Sequence, residues 1–348
     1  MGSNTSKSKK VQKLEYLYKL VPENVYPILL DVKVSNNIKC APSETVILKD
    51  GTYVGSCINN VRHGKGTMAY INGDGYVGNW IDDKPHGVGT ITYSSENVDH
   101  ILTYTGNWMD GKYNGKGTMI YINGDKYEGD WVNDKAHGKG TYMIKNVCTY
   151  IGDWKDDKYH GKGTIIYKNG NVYEGDFVDN KAYGKGTYVY KNGGDYKGEF
   201  QNDKYNGKGT MIYKSGDKYE GDWIDDKCHG KGTYISKSGS KYEGDWVDDE
   251  RHGKGIMIFV NGDIYDGDWI DDKCHGKGTM TFANGSKYTG DWIKDKYHGK
   301  GTMNYESGDK YIGDWVEDKR HGMGIYKFDL TEKVTHGWWK DDCLQTVL

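Results

Sequence analysis

Leucine is nearly missing from the body of this chain. Only ten of its 348 residues are Leu, and Leu102 is the only one between residues 53 and 328. Helical and leucine-rich solenoids, which bury Leu at fixed positions, are excluded for that stretch. Proline is scarce too, at 4 residues. No run of 18 apolar residues occurs, so no membrane-spanning helix is expected, and no charged-then-apolar secretory leader opens the sequence. The formal net charge is only −3, without the excess of Lys and Arg that a dedicated nucleic-acid binder needs. Of the cysteines at 40, 57, 148, 228, 274 and 343, no pair has metal-finger spacing. Cys228 and Cys274 occupy matching places in repeats two apart, which a stacked array holds out of bonding reach. All six read as free thiols in a reducing compartment.

Glycine (51), tyrosine (31) and tryptophan (11) are abundant instead, a composition suited to strands and tight turns. Tyr-x-Gly-x-Trp begins at Tyr53, Tyr76, Tyr104, Tyr127, Tyr150, Tyr173, Tyr196, Tyr219, Tyr242, Tyr265, Tyr288 and Tyr311, with ten steps of 23 residues and one of 28. The Tyr and the Gly are present in all twelve copies. The fifth position is Trp in nine, Phe177 and Phe200 in two, and Cys57 in the first. Gly-x-Gly follows eleven residues after each Tyr, as in Gly138-Lys139-Gly140.

Each unit reads as a hairpin. Tyr127-Glu128-Gly129-Asp130-Trp131 alternates with the strand period of two. Asn133-Asp134-Lys135 makes a polar turn, and Gly138-Lys139-Gly140-Thr141-Tyr142 forms the return strand. Nine of the eleven junctions carry Asn-Gly or Ser-Gly, such as Asn123-Gly124 and Ser215-Gly216, the signal for a tight turn between antiparallel strands. The expected fold is all-β: an elongated, single-layer antiparallel meander of stacked 23-residue hairpins. Tyr127, Gly129 and Trp131 share one face with Gly138, Gly140 and Tyr142. Glu128, Asp130, Lys139 and Thr141 take the other, where cross-strand charge pairs are expected. Glycines supply the floor on which a Trp ring can lie.

At this point the sequence resembles the MORN-repeat family. Its unit is similar to Tyr-Glu-Gly-Asp-Trp followed by Lys-x-His-Gly-Lys-Gly, and Tyr219 to Gly232 match it almost throughout. The resemblance covers residues 53 to about 333. It implies a twisted row of stacked hairpins and a role as scaffold, dimerisation module or membrane-linked tether. The expected organisation is a basic N-terminal tail with a short helix at 1–52, and repeats at 53–333. These run 53–75, 76–99, 104–126 and then every 23 residues to 311–333. A partial repeat and cap follow at 334–348. Departures from the pattern are Cys57, a five-residue insertion within 94–103, Val147 in place of a junction Gly, and the partial copy Thr335-His336-Gly337-Trp338-Trp339.

No catalytic, cofactor-binding or metal site is expected. The flanks offer no nucleophile–base pair, and Gly-Lys-Gly lacks phosphate-loop spacing. Histidines before the Gly-x-Gly, such as His229 and His252, recur two strands apart, about 9–10 Å, too far to converge on one zinc. The Asp-Asp turns, such as Asp225-Asp226, read as solvated turn residues rather than calcium ligands.

Met1-Gly2-Ser3-Asn4-Thr5-Ser6 matches the N-myristoylation pattern at Gly2. Lys7, Lys9, Lys10 and Lys13 supply the basic cluster that a single acyl chain needs for stable membrane binding. The competing reading is a polar tail that begins Met-Gly. Val11, Leu14, Leu17 and Tyr18 fall on one helical face. Thr346-Val347-Leu348 fits a pattern bound by some PDZ domains. The expected function is a non-catalytic scaffold for protein–protein interaction, positioned at the cytoplasmic face of a membrane by its N-terminus. Its partner would be a protein or a second copy, not nucleic acid or a small-molecule substrate. The candidate interaction face comprises Tyr127, Trp131, Tyr150, Trp154, Tyr219, Trp223, Tyr242, Trp246, Tyr265 and Trp269. The alternative is a tether whose repeat array itself binds anionic phospholipids.

Overall fold

A computed structural model describes residues 45–94 and 100–348, in two units, Met1–Lys168 and Asn169–Leu348. The helix expected near residues 11–20, together with Gly2, Lys7, Lys9, Lys10 and Lys13, lies outside the described residues. Everything described is strand, turn or irregular, with no helix.

In the first unit, β1 (Thr45–Leu48) through β11 (Lys158–Tyr167) pair in chain order, each antiparallel to the next. In the second, β12 (Val172–Val178) through β27 (Cys343–Val347) do the same. Each unit is therefore an antiparallel meander, as the repeat implied.

The turns divide the work differently from the expectation. The two-residue turn lies inside each repeat, not at the Asn-Gly junction. Asp225 and Asp226 have φ of 49° and 71°, the paired positive values of a type I′ hairpin turn, which Asp and Asn tolerate through local hydrogen bonding. The junction is a three-residue loop. Tyr121 N–H donates to the Asp125 carbonyl at 2.9 Å and Gly124 N–H to the Tyr121 carbonyl at 2.9 Å, with Gly124 at φ 87°. Where Val147 replaces that Gly, Asn146 takes the left-handed position instead, at φ 64°.

One register repeats throughout. In the unit opened by Tyr219, Gly221 faces Gly232 and Trp223 faces Cys228, with a bulge after Gly221. The tyrosine, and not the tryptophan, lies on the glycines. A Cβ on Gly232 would stand 2.3 Å from the Tyr219 hydroxyl, and one on Gly221 would stand 2.5 Å from the Gly232 Cα. A longer side chain at either place displaces the ring or separates the strands. The Tyr219 hydroxyl donates to the Asp222 carbonyl at 3.0 Å, so its buried polar tip is satisfied. Trp223 stands edge-on to Tyr219 at 5.1 Å, and its Nε1–H donates to the Gly209 carbonyl of the preceding repeat at 3.2 Å. Tyr219 in turn meets Trp246 of the following repeat at 5.3 Å. The core is thus an alternating Tyr–Trp ladder in edge-to-face contact, worth about 0.5–1.5 kcal/mol per pair beyond the area buried.

The cysteine reading holds for Cys148, Cys228, Cys274 and Cys343, which are free, and fails for Cys57, which is disulfide-bonded. Cys57 is half-buried where later repeats carry an indole. Burial pushes the Cys228 and Cys274 thiols up to about 12, with Asp249 and Asp295 nearby adding to the effect, so both are inert at neutral pH.

Candidate functional site

The ten aromatic residues expected to form an open recognition face are core. Each of Tyr127, Trp131, Tyr150, Trp154, Tyr219, Trp223, Tyr242, Trp246, Tyr265 and Trp269 is at most 7% exposed. Their rings cover one another along the sheet. Tyr127, for example, has Trp131 at 4.9 Å and Trp154 at 4.8 Å on its two sides. Little of this face remains for a partner to touch.

The other face is the accessible one. Across the second unit it presents three rows of side chains, set by the strand alternation on either side of the paired glycines. The row on the turn side of the glycines alternates Lys and Asp: Lys208–Asp222 meet at 2.6 Å, and Lys231–Asp245, Lys254–Asp268, Lys277–Asp291 and Lys300–Asp314 at 2.5 Å. The first unit has Lys116–Asp130 at 2.6 Å and Lys139–Asp153. Each Asp also ties its bulge: Asp222 Oδ2 accepts from Lys231 N–H at 3.0 Å. Partial burial, the largest single influence, pushes the Asp222 carboxyl up. The Lys208 ammonium and the Lys231 N–H together outweigh it and hold the group below the usual carboxylate range.

On the far side of the glycines lies a middle row of Glu, Asp, Thr and Ile, and beyond it an outer row of Lys and Ile. In mid-array the two rows neutralise each other: Lys126–Glu128 and Lys218–Glu220 meet at 2.7 Å, and Lys241–Glu243 at 2.8 Å. Near the end of the second unit they do not. Thr289 and Ile312 stand where those glutamates would be, and Lys287, Lys310 and Lys327 make no ion pair among the described residues. In the next two strands Met323 faces Trp338 where other repeats place Lys and Asp. Met323, Ile312, Ile325 and Trp338 are 45%, 44%, 36% and 51% exposed.

These rows wall a trough of about 1010 Å³. Its floor is backbone of the glycine pairs from Gly267–Gly278 to Gly313–Gly324. Thr289, Thr302, Ile312 and Ile325 form one wall, and Lys277, Lys300 and Met323 the other. Among the described residues no group of three or more His, Cys, Asp or Glu could hold a metal ion.

Comparison with known families decides what the repeat is. The MORN repeat profile matches residues 53–75, 76–98, 104–126, 127–146 and eight further units, the last at 311–329. The chain belongs to the MORN repeat family. That family is one of repeat scaffolds, not of enzymes. No curated protein matches the chain. Among solved structures, the TCP domain of Drosophila melanogaster SAS-4, in complex with a proline-rich motif of Ana2, is 16% identical with a TM-score of 0.29. That match covers 44% of this MORN chain and 84% of the other. The TCP10 domain of Danio rerio CPAP, in complex with a STIL peptide, is 11% identical with a TM-score of 0.25, over 72% of this chain and 93% of that one. Likeness at this level carries no argument about what the MORN array binds.

The trough residues were missed in the sequence because a consensus averages them away. The signal is the residue directly after each motif Tyr. In the second unit it reads Glu174, Lys197, Glu220, Glu243 and Asp266, then Thr289 and Ile312 in the last two full repeats.

Proposed function

We propose that this MORN array is a non-catalytic scaffold that binds a protein partner on the face opposite its aromatic ladder, with the N-terminus holding it at a membrane. The observation that carries the reading is the asymmetry between faces. The aromatic face is buried, while the opposite face carries a long trough whose last strands replace consensus charges with exposed Ile312, Met323, Ile325 and Trp338. Contiguous exposed apolar surface of this kind marks an interaction site. The membrane half rests on Gly2 and on Lys7, Lys9, Lys10 and Lys13 in the sequence.

The phospholipid alternative gains little from the Lys ladder, since most of those ammonium groups already sit on an Asp. Two measurements test the proposal on the full chain. A photo-crosslinking amino acid at position 325 should trap a discrete protein adduct in cells, while one at the buried position 219 should not. Full-length protein should float with vesicles carrying phosphatidylserine after N-myristoylation, and Gly2→Ala or loss of the four lysines should abolish this. Flotation unaffected by both changes would hand the membrane role to the array.

A further inference from the structure

The trough lining includes Asp266, His336 and Leu348, and beside it, in the outer row at the end of the second unit, stand lysines without the glutamate partners that Lys218 and Lys241 have; these give that end of the trough its ligand chemistry. The argument rests on the protein-binding reading above and goes on to the class of partner. Lys287 in β22 (Lys287–Ile293), Lys310 in β24 (Lys310–Val316) and Lys327 in β25 (Lys319–Lys327) lie in one outer row. Lys310 and Lys327 are directly paired across strands. Lys218 and Lys241, the counterparts of Lys287 and Lys310, spend their charge on Glu220 and Glu243, and Ile235 and Ile258 stand at the place of Lys327. Here the matching positions are Thr289 and Ile312, so three ammonium groups border an apolar wall with no carboxylate of their own.

We propose that this end of the trough binds an extended acidic segment of a protein partner. Its apolar side chains lie over Ile312, Ile325, Met323 and Trp338, and its carboxylates sit at Lys287, Lys310 and Lys327. Spacing supports an extended segment. Lys287 stands two strands from Lys310, about 9.6 Å, and carboxylates three residues apart on an extended polyproline II segment project from one face about 9.3 Å apart. The Lys310–Lys327 pair then takes one carboxylate and Lys287 the other. Charge also argues against the chain's own N-terminus as occupant, because residues 1–20 hold five Lys and one Glu. The charge pattern supplies selection, while the apolar contacts supply the hold.

The test is selection of random nonapeptides displayed on phage against full-length protein, run in parallel on a Lys287→Glu, Lys310→Glu, Lys327→Glu variant. All three positions are at the surface, and circular dichroism checks that the variant folds. Recovered peptides should be enriched in Asp or Glu at positions three apart, next to apolar residues. The variant should weaken their binding by about ten-fold or more and should instead select basic peptides. Trp338→Ala should weaken binding without changing the charge preference. Three results overturn the proposal. Peptides without acidic enrichment, or no recovered peptides, remove the acidic ligand. Phosphatidylserine vesicles that bind the trough through these lysines more tightly than any selected peptide make the occupant a lipid surface. Self-association in sedimentation equilibrium that Trp338→Ala abolishes makes it a second copy. If crosslinking at position 325 still traps a protein while acidic selection fails, the scaffold reading survives and only the ligand chemistry falls.

Discussion

Repeats in the middle of the second unit and those at its end are built on the same aromatic ladder and differ most on the opposite face. Tyr219 and Tyr311 are both fully buried, and both hydroxyls donate to the carbonyl three residues on, at 3.0 and 3.1 Å. Their tryptophans, Trp223 and Trp315, are both 3% exposed. On the outer face Glu220 has become Ile312, Lys231 has become Met323, and Asp245 has become Trp338. The difference teaches that two demands on the sequence are written at separate positions. Folding occupies the odd places of Tyr-x-Gly-x-Trp and, through the bulge, the Asp at the fourth, while the second place is left to vary.

The largest expected effect separates two tryptophans. Trp223→Ala should cost about 3–5 kcal/mol, because the indole is buried and bonded to Gly209. Trp338→Ala should cost about 1 kcal/mol or less, as a half-exposed surface residue. Urea denaturation of each variant checks this, and equal losses would mean that Trp338 belongs to the core.

Gly232→Ala and Gly324→Ala come next, each expected to cost about 1–3 kcal/mol by overpacking. A Cβ at either position stands 2.3 Å from a tyrosine hydroxyl. Since each repeat contacts only its neighbours, hydrogen exchange should show the damage confined to adjacent hairpins. A tolerated alanine at one site only would break the equivalence of the two ladders.

Acid should affect the Lys–Asp row before the Met323–Trp338 pair that replaces it at the end of the unit. Partial burial raises the carboxyls of Asp222, Asp245 and Asp268. Their lysine partners and the bulge N–H groups outweigh this, so all three sit below the usual range. A depressed folded value means that the stabilisation is full above the unfolded carboxylate value of about 3.9. It fades as pH falls below that and is gone once pH passes the folded value. Hydrogen exchange between pH 5 and 2 should show faster opening of strands containing these residues only below about pH 4.

The smallest effect sharpens the outer-face comparison. Ile312→Glu recreates the Lys–Glu arrangement of mid-array at Lys310. It should change stability by no more than about 0.5 kcal/mol, as expected for an exposed pair, while removing the selection for acidic peptides. A large stability change would show that the apolar wall is structural.

Much of this was legible beforehand, because the period of 23 and the strand alternation are direct consequences of hairpin geometry. The hairpins, the two faces and the Lys–Asp pairing all followed from them. Alternation assigns a face but cannot say what covers it, so the aromatic face was read as open when Trp154 and Trp131 close over Tyr127 from both sides. Nor does spacing say which ring sits on the glycines. That depends on where the Tyr219 hydroxyl finds its acceptor, at the Asp222 carbonyl across the bulge. Asn123-Gly124 was read as the tight turn because the dipeptide suits one, yet the loop length gives it a three-residue geometry. The trough was hidden because it lies in deviations from the repeat, at Thr289, Ile312 and Met323, not in the repeat itself.

From Trp223 to Trp292, the bond from each indole N–H to a glycine carbonyl 14 residues earlier has a consequence for how such a chain can be edited. In that stretch every repeat presents the acceptor that its successor requires and uses the one its predecessor presents, so the two joints of such a unit are interchangeable. Excising residues 242–264 would bring Trp269 to the Gly232 carbonyl that Trp246 leaves, with the same register and the same junction loop. An array of this kind can be shortened or lengthened in whole 23-residue steps, while the terminal strands keep their outer-face residues at any repeat number.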